Sequence, residues 1–86
     1  MRRNRNARID GTHRAIVLTL RGLGWRVVDT HEVPGFVDAV AHRHGRVRLV
    51  EIKTAAGPLT ASQAKLIAEG WPIQILRSVD DAIALR

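Results

Sequence analysis

Residues 35–54, GFVDAVAHRHGRVRLVEIKT, read as two strands joined by a short turn, and the rest of the fold builds outward from them. Arg46–Thr54 is rich in β-branched residues and bounded by loop signals. Gly35–His42 forms the earlier strand, and Arg43-His44-Gly45 supplies the connection. Strand side chains alternate between faces. Val47, Leu49, Glu51 and Lys53 therefore share one face, while Arg48, Val50 and Ile52 share the other. Phe36, Asp38 and Val40 share a face of the earlier strand. A turn centred on His44 pairs Asp38 with Val50; a one-residue slip, or a bulge, sets Asp38 opposite Glu51 instead. Either way an Asp, a Glu and a Lys gather at the end of an otherwise apolar face.

Three charges in such a place are costly unless something neutralises them. A divalent cation does so. Mg²⁺ takes one or two carboxylates together with waters and phosphate oxygens. It polarises a phosphate and lowers the pKa of a coordinated water. A neighbouring lysine can orient that water and stabilise charge growing on the phosphate. Those are the parts that hydrolyse a phosphodiester. If Asp38 is exposed instead, Glu51 and Lys53 are a surface pair of little energetic consequence.

Upstream, Ile16, Val17, Leu20 and Leu23 recur at three- and four-residue spacing, which predicts a helix over about Thr12–Leu23. Asp10 or Thr12 can cap it, and Gly22 and Gly24 fall at its end. Trp25–Asp29 reads as a strand, and the THEVPG stretch after it as a loop. Downstream, Ala55–Pro58 is a loop. A second helix runs from about Thr60 to Glu69, opened by the capping box Thr60-Ala61-Ser62-Gln63 and stopped by Gly70 and Pro72. Pro72–Arg77 is a fourth strand. Ser78, with Asp81 three residues on, caps a short helix over Val79–Leu85. The order is α-β-β-β-α-β-α. That is an α/β fold with helices packed on a mixed sheet, its last strand parallel to its neighbour.

Eighty-six residues make one domain with a thin core, burying only about 60–65% of the surface its unfolded chain exposes. There is no cysteine, which excludes disulfides and thiolate zinc sites. No apolar run is long enough to span a membrane. The basic N-terminus lacks the apolar stretch of a secretory signal, so a cytoplasmic location is expected. Fourteen basic residues against eight acidic ones give a net charge of +6. Arg2, Arg3, Arg5 and Arg8 crowd into residues 1–9, which read as a flexible basic arm ahead of a domain over 10–86. Such a charge distribution suits a polyanion partner, and as a bland alternative a solubilising tail.

Residues 35–85 resemble the VRR-NUC group of the PD-(D/E)XK nucleases, and most of all its small stand-alone bacterial and phage members. Gly35, Asp38, Glu51, Lys53, Gly57, Leu59, Thr60, Gln63 and Gly70 match the family pattern in order and spacing. RIDGTHRAIVLTLRGLGWRVV resembles the family's opening helix and the strand after it, so the resemblance covers residues 8–86. It implies a restriction-endonuclease-like core and a Mg²⁺- or Mn²⁺-dependent DNA endonuclease. The substrate it implies is branched or structured DNA of the Holliday-junction kind, cut by a homodimer in a bacterial or phage-infected cell. No nucleotide cofactor and no membrane is involved. Asp38, Glu51 and the Ile52 carbonyl would bind the metal. Lys53 would assist the attacking water, and Gln63 would contact the scissile phosphate or position the lysine.

Two positions depart from the pattern. Val37 stands where the family has a Pro before the Asp, with Pro34 displaced upstream. The opening helix lacks the Glu that many relatives carry. Asp10 could supply that acid or merely cap the helix, and His13 could stand in its place. An idle or partner-dependent DNA-binding subunit of the same fold is the alternative, although the Asp38, Glu51 and Lys53 set is intact.

Other residues carry weaker signals. Arg43, His44 and Arg46 at the hairpin turn suit phosphate contact. Lys65 is either a phosphate contact or solvent-facing charge. His31, His42 and His44 raise a transition-metal site, but His42 and His44 flank a hairpin tip, where exposed polar residues are ordinary. Trp25 and Trp71 read as packing residues in the core or at a subunit interface.

Overall fold

The computed structural model describes the backbone of residues 2–54 and 56–86, and side chains from residue 11 onward except at 55. The elements follow the expected order: α1 (Arg2–Gly22), β1 (Arg26–Asp29), β2 (Ala39–Arg43), β3 (Arg46–Ile52), α2 (Ala61–Ala68), β4 (Ile73–Leu76) and α3 (Val79–Ala84). The strands form one sheet in the order β1-β2-β3-β4. The first three are antiparallel, and β4 runs parallel to β3 across the α2 connection. This is a small α/β fold with a four-stranded mixed sheet and three helices.

Several boundaries differ from expectation, three of them with structural consequences. Helix α1 starts at Arg2, not near Thr12, so Asp10 and Thr12 lie within its span and not at its cap. The one poor helix former on the way, Gly11, costs about 1 kcal/mol and is crossed, and residues 2–10 hold no further Gly or Pro to stop the helix. The side chains of Arg2, Arg3, Arg5, Arg8 and Asp10 lie outside the described residues, so their assigned roles do too. Leu23 falls past the end of α1 and is exposed. The true stop is Gly24, at φ +95°: its N–H reaches Arg21 O at 3.1 Å, and Trp25 N–H reaches Leu20 O at 3.0 Å. That pair of bonds needs a left-handed residue between them, which glycine supplies without a Cβ penalty. Lastly, β2 begins at Ala39, not at Gly35. Gly35 has φ +75°, and Phe36 N–H bonds back to Val33 O, so residues 33–36 turn before the strand begins.

The helices divide unequally between the two faces of the sheet. Ile16, Val17 and Leu20 of α1 and Ala82 of α3 pack against Val27, Ala39, Ala41, Val50 and Leu76. Trp25 joins them, as its packing role required. The opposite face carries α2, which buries none of its own residues. Across that face Val28, Val40, Leu49 and Ile73 are cross-strand neighbours in one row. Val28 at the outer end of the row is 64% exposed. No helix among the described residues is long and apolar enough to cross a membrane.

Candidate functional site

The hairpin register is decided by its turn. Arg43 faces Arg46, leaving the two-residue loop His44-Gly45, and both loop residues have positive φ (54° and 76°). A two-residue loop with both residues left-handed matches the twist of the flanking strands. It shifts the register by one from the turn centred on His44. Ala39 consequently sits opposite Val50, and continuing the ladder brings Asp38 towards Glu51. The ladder stops there with a local irregularity. Asp38 N–H bonds Val50 O at 3.1 Å, and the Asp38 carboxylate takes over as acceptor, receiving Ile52 N–H at Oδ2 at 2.8 Å. The bulge and the slip both contribute. Backbone sits against Val50, while the side chain lies beside the Glu51-Ile52 segment.

Val50 faces the α1 side, so Glu51 faces the other. It is only 3% exposed. Gln63 Nε2 donates a hydrogen bond to Glu51 Oε2. The Gln63 Oε1 end accepts from Thr60 N–H at 2.8 Å, and Thr60 Oγ1 accepts from Gln63 N–H at 3.2 Å. One residue thus closes the capping box of α2 and fixes the site acid. Its partner is Glu51, not Lys53. The other carboxylate oxygen, Glu51 Oε1, is buried without a hydrogen-bond partner. Burial pushes the Glu51 carboxyl from its ordinary 4.5 up to about 8. The negative charge of Asp38 pushes the same way, while the positive charge of Lys53 pulls back. The site holds a surplus of acceptors over donors. Glu51 Oε1 and the Asp38 carboxylate are the groups that could hold a hard cation.

The loop leading away from Lys53 is fastened from β4. Arg77 Nη1 donates to Thr54 O at 2.9 Å and to Gly57 O at 2.7 Å, and Lys53 N–H reaches Leu76 O at 3.1 Å. Gly57 is needed where it lies, because a Cβ there would come within 2.9 Å of Thr54 Oγ1.

The hairpin cations are not at this site. Asp38 precedes β2 and Arg43 ends it, so at about 3.3 Å per residue the turn lies roughly 17 Å away along the strand. Arg43 is also engaged within the chain. Its guanidinium stacks 4.6 Å from the centre of the Trp25 ring, and Nη1 donates to Leu23 O at 2.9 Å. His44 and Arg46 are exposed at the turn, and Lys65 is exposed on α2. Trp71, expected to pack, is 45% exposed and meets Phe36 edge-on at 6.1 Å between ring centres.

A second constellation escaped the sequence reading. His13 of α1, Asp29 of β1 and His31 in the following loop bring a ligand atom each to within 4.8 Å of one another. Asp29 is directly opposite Ala39, a core residue on the α1 side, so this cluster is on the face away from Glu51. His13 is therefore not a stand-in for an acid beside Asp38 and Glu51. The available signal was Asp29-x-His31, but nothing local announced that a helix residue sixteen positions earlier would meet it. Compared with known proteins, the chain matches no protein family, no curated sequence and no solved structure.

Proposed function

We propose that this chain is a divalent-metal-dependent DNA endonuclease of the PD-(D/E)XK type, selective for branched or structured DNA. The observation that carries the reading is Glu51, a buried acid held against a second acid with one oxygen unpaired. A domain with so thin a core gains nothing in stability from that arrangement. It is a cost that a ligand-binding role explains. The donor set fits a hard cation, since Asp38 and Glu51 offer only oxygen. Mg²⁺ or Mn²⁺ held by Asp38, Glu51 and the Ile52 carbonyl would polarise a phosphate and lower the pKa of a coordinated water.

The chain's own residues do the rest. Ile52 N–H fixes the Asp38 carboxylate, and Gln63 fixes that of Glu51. Both acids are thus oriented before any ligand arrives, which removes reorganisation from the reaction. Lys53 lies just past the end of β3, close enough for its charge to act on the Glu51 carboxyl, and offers three donors, either to an attacking water or to a phosphate oxygen that gains charge. The row of apolar residues beside α2 carries no base-reading groups, so shape rather than sequence would be recognised.

The test is cleavage of a labelled four-way junction, a 5′ flap, a splayed arm and a plain duplex, with Mg²⁺, Mn²⁺ or EDTA. Glu51→Gln and Lys53→Ala run alongside, each checked for a native circular-dichroism spectrum. Metal-dependent cutting that falls by at least about 100-fold in both variants is expected, a loss typical of removing a transition-state contact. Tight, salt-sensitive binding of all four DNAs without cutting under any metal would overturn the enzyme reading in favour of a DNA-binding subunit.

A further inference from the structure

The trio of His13, Asp29 and His31 is neither part of the proposed nuclease site nor explained by it. His13 continues the apolar stripe of α1, since 13, 16, 17 and 20 fall on one helix face, the face that packs on the sheet. It is 9% exposed, and its Nε2 has no hydrogen-bond partner. That nitrogen points to Asp29, whose Oδ1 is 3.4 Å away. From the loop side, His31 Nδ1 lies 2.7 Å from the same oxygen. The two imidazole rings meet edge to face at 5.6 Å. Beyond His31, Glu32 Oε2 lies 4.0 Å from the other ring nitrogen.

We propose that His13 Nε2, Asp29 Oδ1 and His31 Nδ1 form a second cation site, for a borderline-soft divalent metal of the Zn²⁺ class. Two imidazoles and a carboxylate are the ligand types such ions select, whereas Mg²⁺ prefers oxygen alone. In a tetrahedral site with bonds near 2.0–2.1 Å, ligand atoms stand about 3.3 Å apart. The His13–Asp29 separation already has that value. The His31–Asp29 contact is a hydrogen bond and has to open by roughly 0.6 Å on the same geometry. Glu32 Oε2, 4.0 Å from the remaining His31 nitrogen, is too far for a hydrogen bond and adds only a nearby negative charge. The ligands come from a helix, a strand end and a loop. The bound ion would therefore pin α1 to the edge of the sheet, a staple that a domain this small can use. One coordination position stays open to water.

The proposal is independent of the nuclease reading, and its test leaves DNA out. Chelator-stripped protein is titrated with Zn²⁺ by calorimetry, and with Co²⁺ while the visible spectrum is recorded. One equivalent bound at the trio is expected, giving the intense absorption of four-coordinate Co²⁺ and a rise in melting temperature, whereas uptake at the oxygen-only Asp38 and Glu51 pair adds no such absorption. Asp29→Asn and His31→Ala alter exposed or half-exposed positions and should fold. Each is expected to weaken binding by at least about tenfold, the lower bound for disturbing a metal's ligand environment. Glu51→Gln should leave the intense Co²⁺ absorption unchanged, which separates this site from the other. His42→Ala should also leave it unchanged. No Zn²⁺ uptake, or uptake of equal affinity in Asp29→Asn and His31→Ala, would overturn the proposal and leave an ordinary hydrogen-bonded trio.

Discussion

The two faces of the sheet do opposite work. On the α1 and α3 side, Ile16, Leu20, Ala39, Ala41, Val50 and Ala82 are all but sealed from solvent. On the α2 side, no residue of the helix is buried, and Val28 and Val47 stand largely in water. Yet the one buried carboxylate among the described residues, Glu51, is on the second side. Stability is concentrated on the face away from the candidate site. In a chain of this size a single face can hold the core, and the other is then free to carry groups that weaken the fold.

The largest effect that would break this contrast is a cavity. Leu20→Ala should lower unfolding free energy by about 2–5 kcal/mol, enough to unfold much of a small domain. Val28→Ala, on the open face, should change it by less than about 0.5 kcal/mol. Urea titrations followed by circular dichroism measure both. Similar losses in the two variants would mean that the α2 face is covered in solution, as by a second copy of the chain.

Next in size is the cost of Glu51 itself. Its folded pKa is about 8, against an ordinary value of 4.5. Between those values the folded state holds a proton that the unfolded state has released. Stability from this group is therefore highest below pH 4.5, falls as pH rises through that window, and is level above about 8. At roughly 1.4 kcal/mol per unit, and allowing for the coupling to Asp38, the loss should be about 2–4 kcal/mol. Glu51→Gln should abolish that slope, be the more stable protein at pH 8.5 in EDTA, and lose cutting altogether. Comparing the two proteins at pH 5 and 8.5 cancels contributions from the other groups. Asp29, for example, behaves in the opposite sense. Burial raises its pKa, but the hydrogen bond from His31 and the charges of His13 and His31 outweigh that and lower it. Its contribution is present above its ordinary 3.8 and lost only in acid below it. Equal slopes in wild type and Glu51→Gln would mean that Glu51 is not buried as described.

How far these features could be read beforehand depends on how local they are. The capping box at Thr60–Gln63 and the glycine stop before Trp71 are written within a few residues, and both appear as read. The hairpin was legible to within one residue. What tipped it was a pair of left-handed φ values at His44 and Gly45, a feature that only the Gly announces. Asp38, Glu51, Lys53 and Gln63 were legible as a set, but not which of them touch. The expectation for Gln63 is the phosphate or the lysine, and the partner it has within the chain is Glu51. Apolar periodicity does not reveal the full extent of α1, because residues 2–10 carry no apolar stripe yet hold no Gly or Pro, and the helix crosses Gly11 to reach them. The His13, Asp29 and His31 trio was invisible for a different reason. Its members belong to three segments, and only tertiary packing joins them.

The smallest effect tests whether the two faces differ in kind or merely in degree, and the caps of α2 and α3 supply it. Thr60 Oγ1 accepts Gln63 N–H at 3.2 Å, and Ser78 Oγ accepts Asp81 N–H at 3.1 Å. Removing either hydroxyl should cost about 1 kcal/mol of stability, the usual worth of an N-cap. The consequences should then diverge. Ser78→Ala loosens a helix packed on the core and leaves Glu51 untouched. Thr60→Ala loosens the turn from which Gln63 reaches Glu51, so the orientation of the site acid goes with the cap. Cutting should fall severalfold in Thr60→Ala and hardly change in Ser78→Ala, at equal loss of stability in denaturant. If both variants lose activity in proportion to stability, Gln63 is only a cap. If Thr60→Ala alone loses activity, the capping box of α2 is part of the catalytic framework, joining the least buried helix of the fold to its most costly side chain.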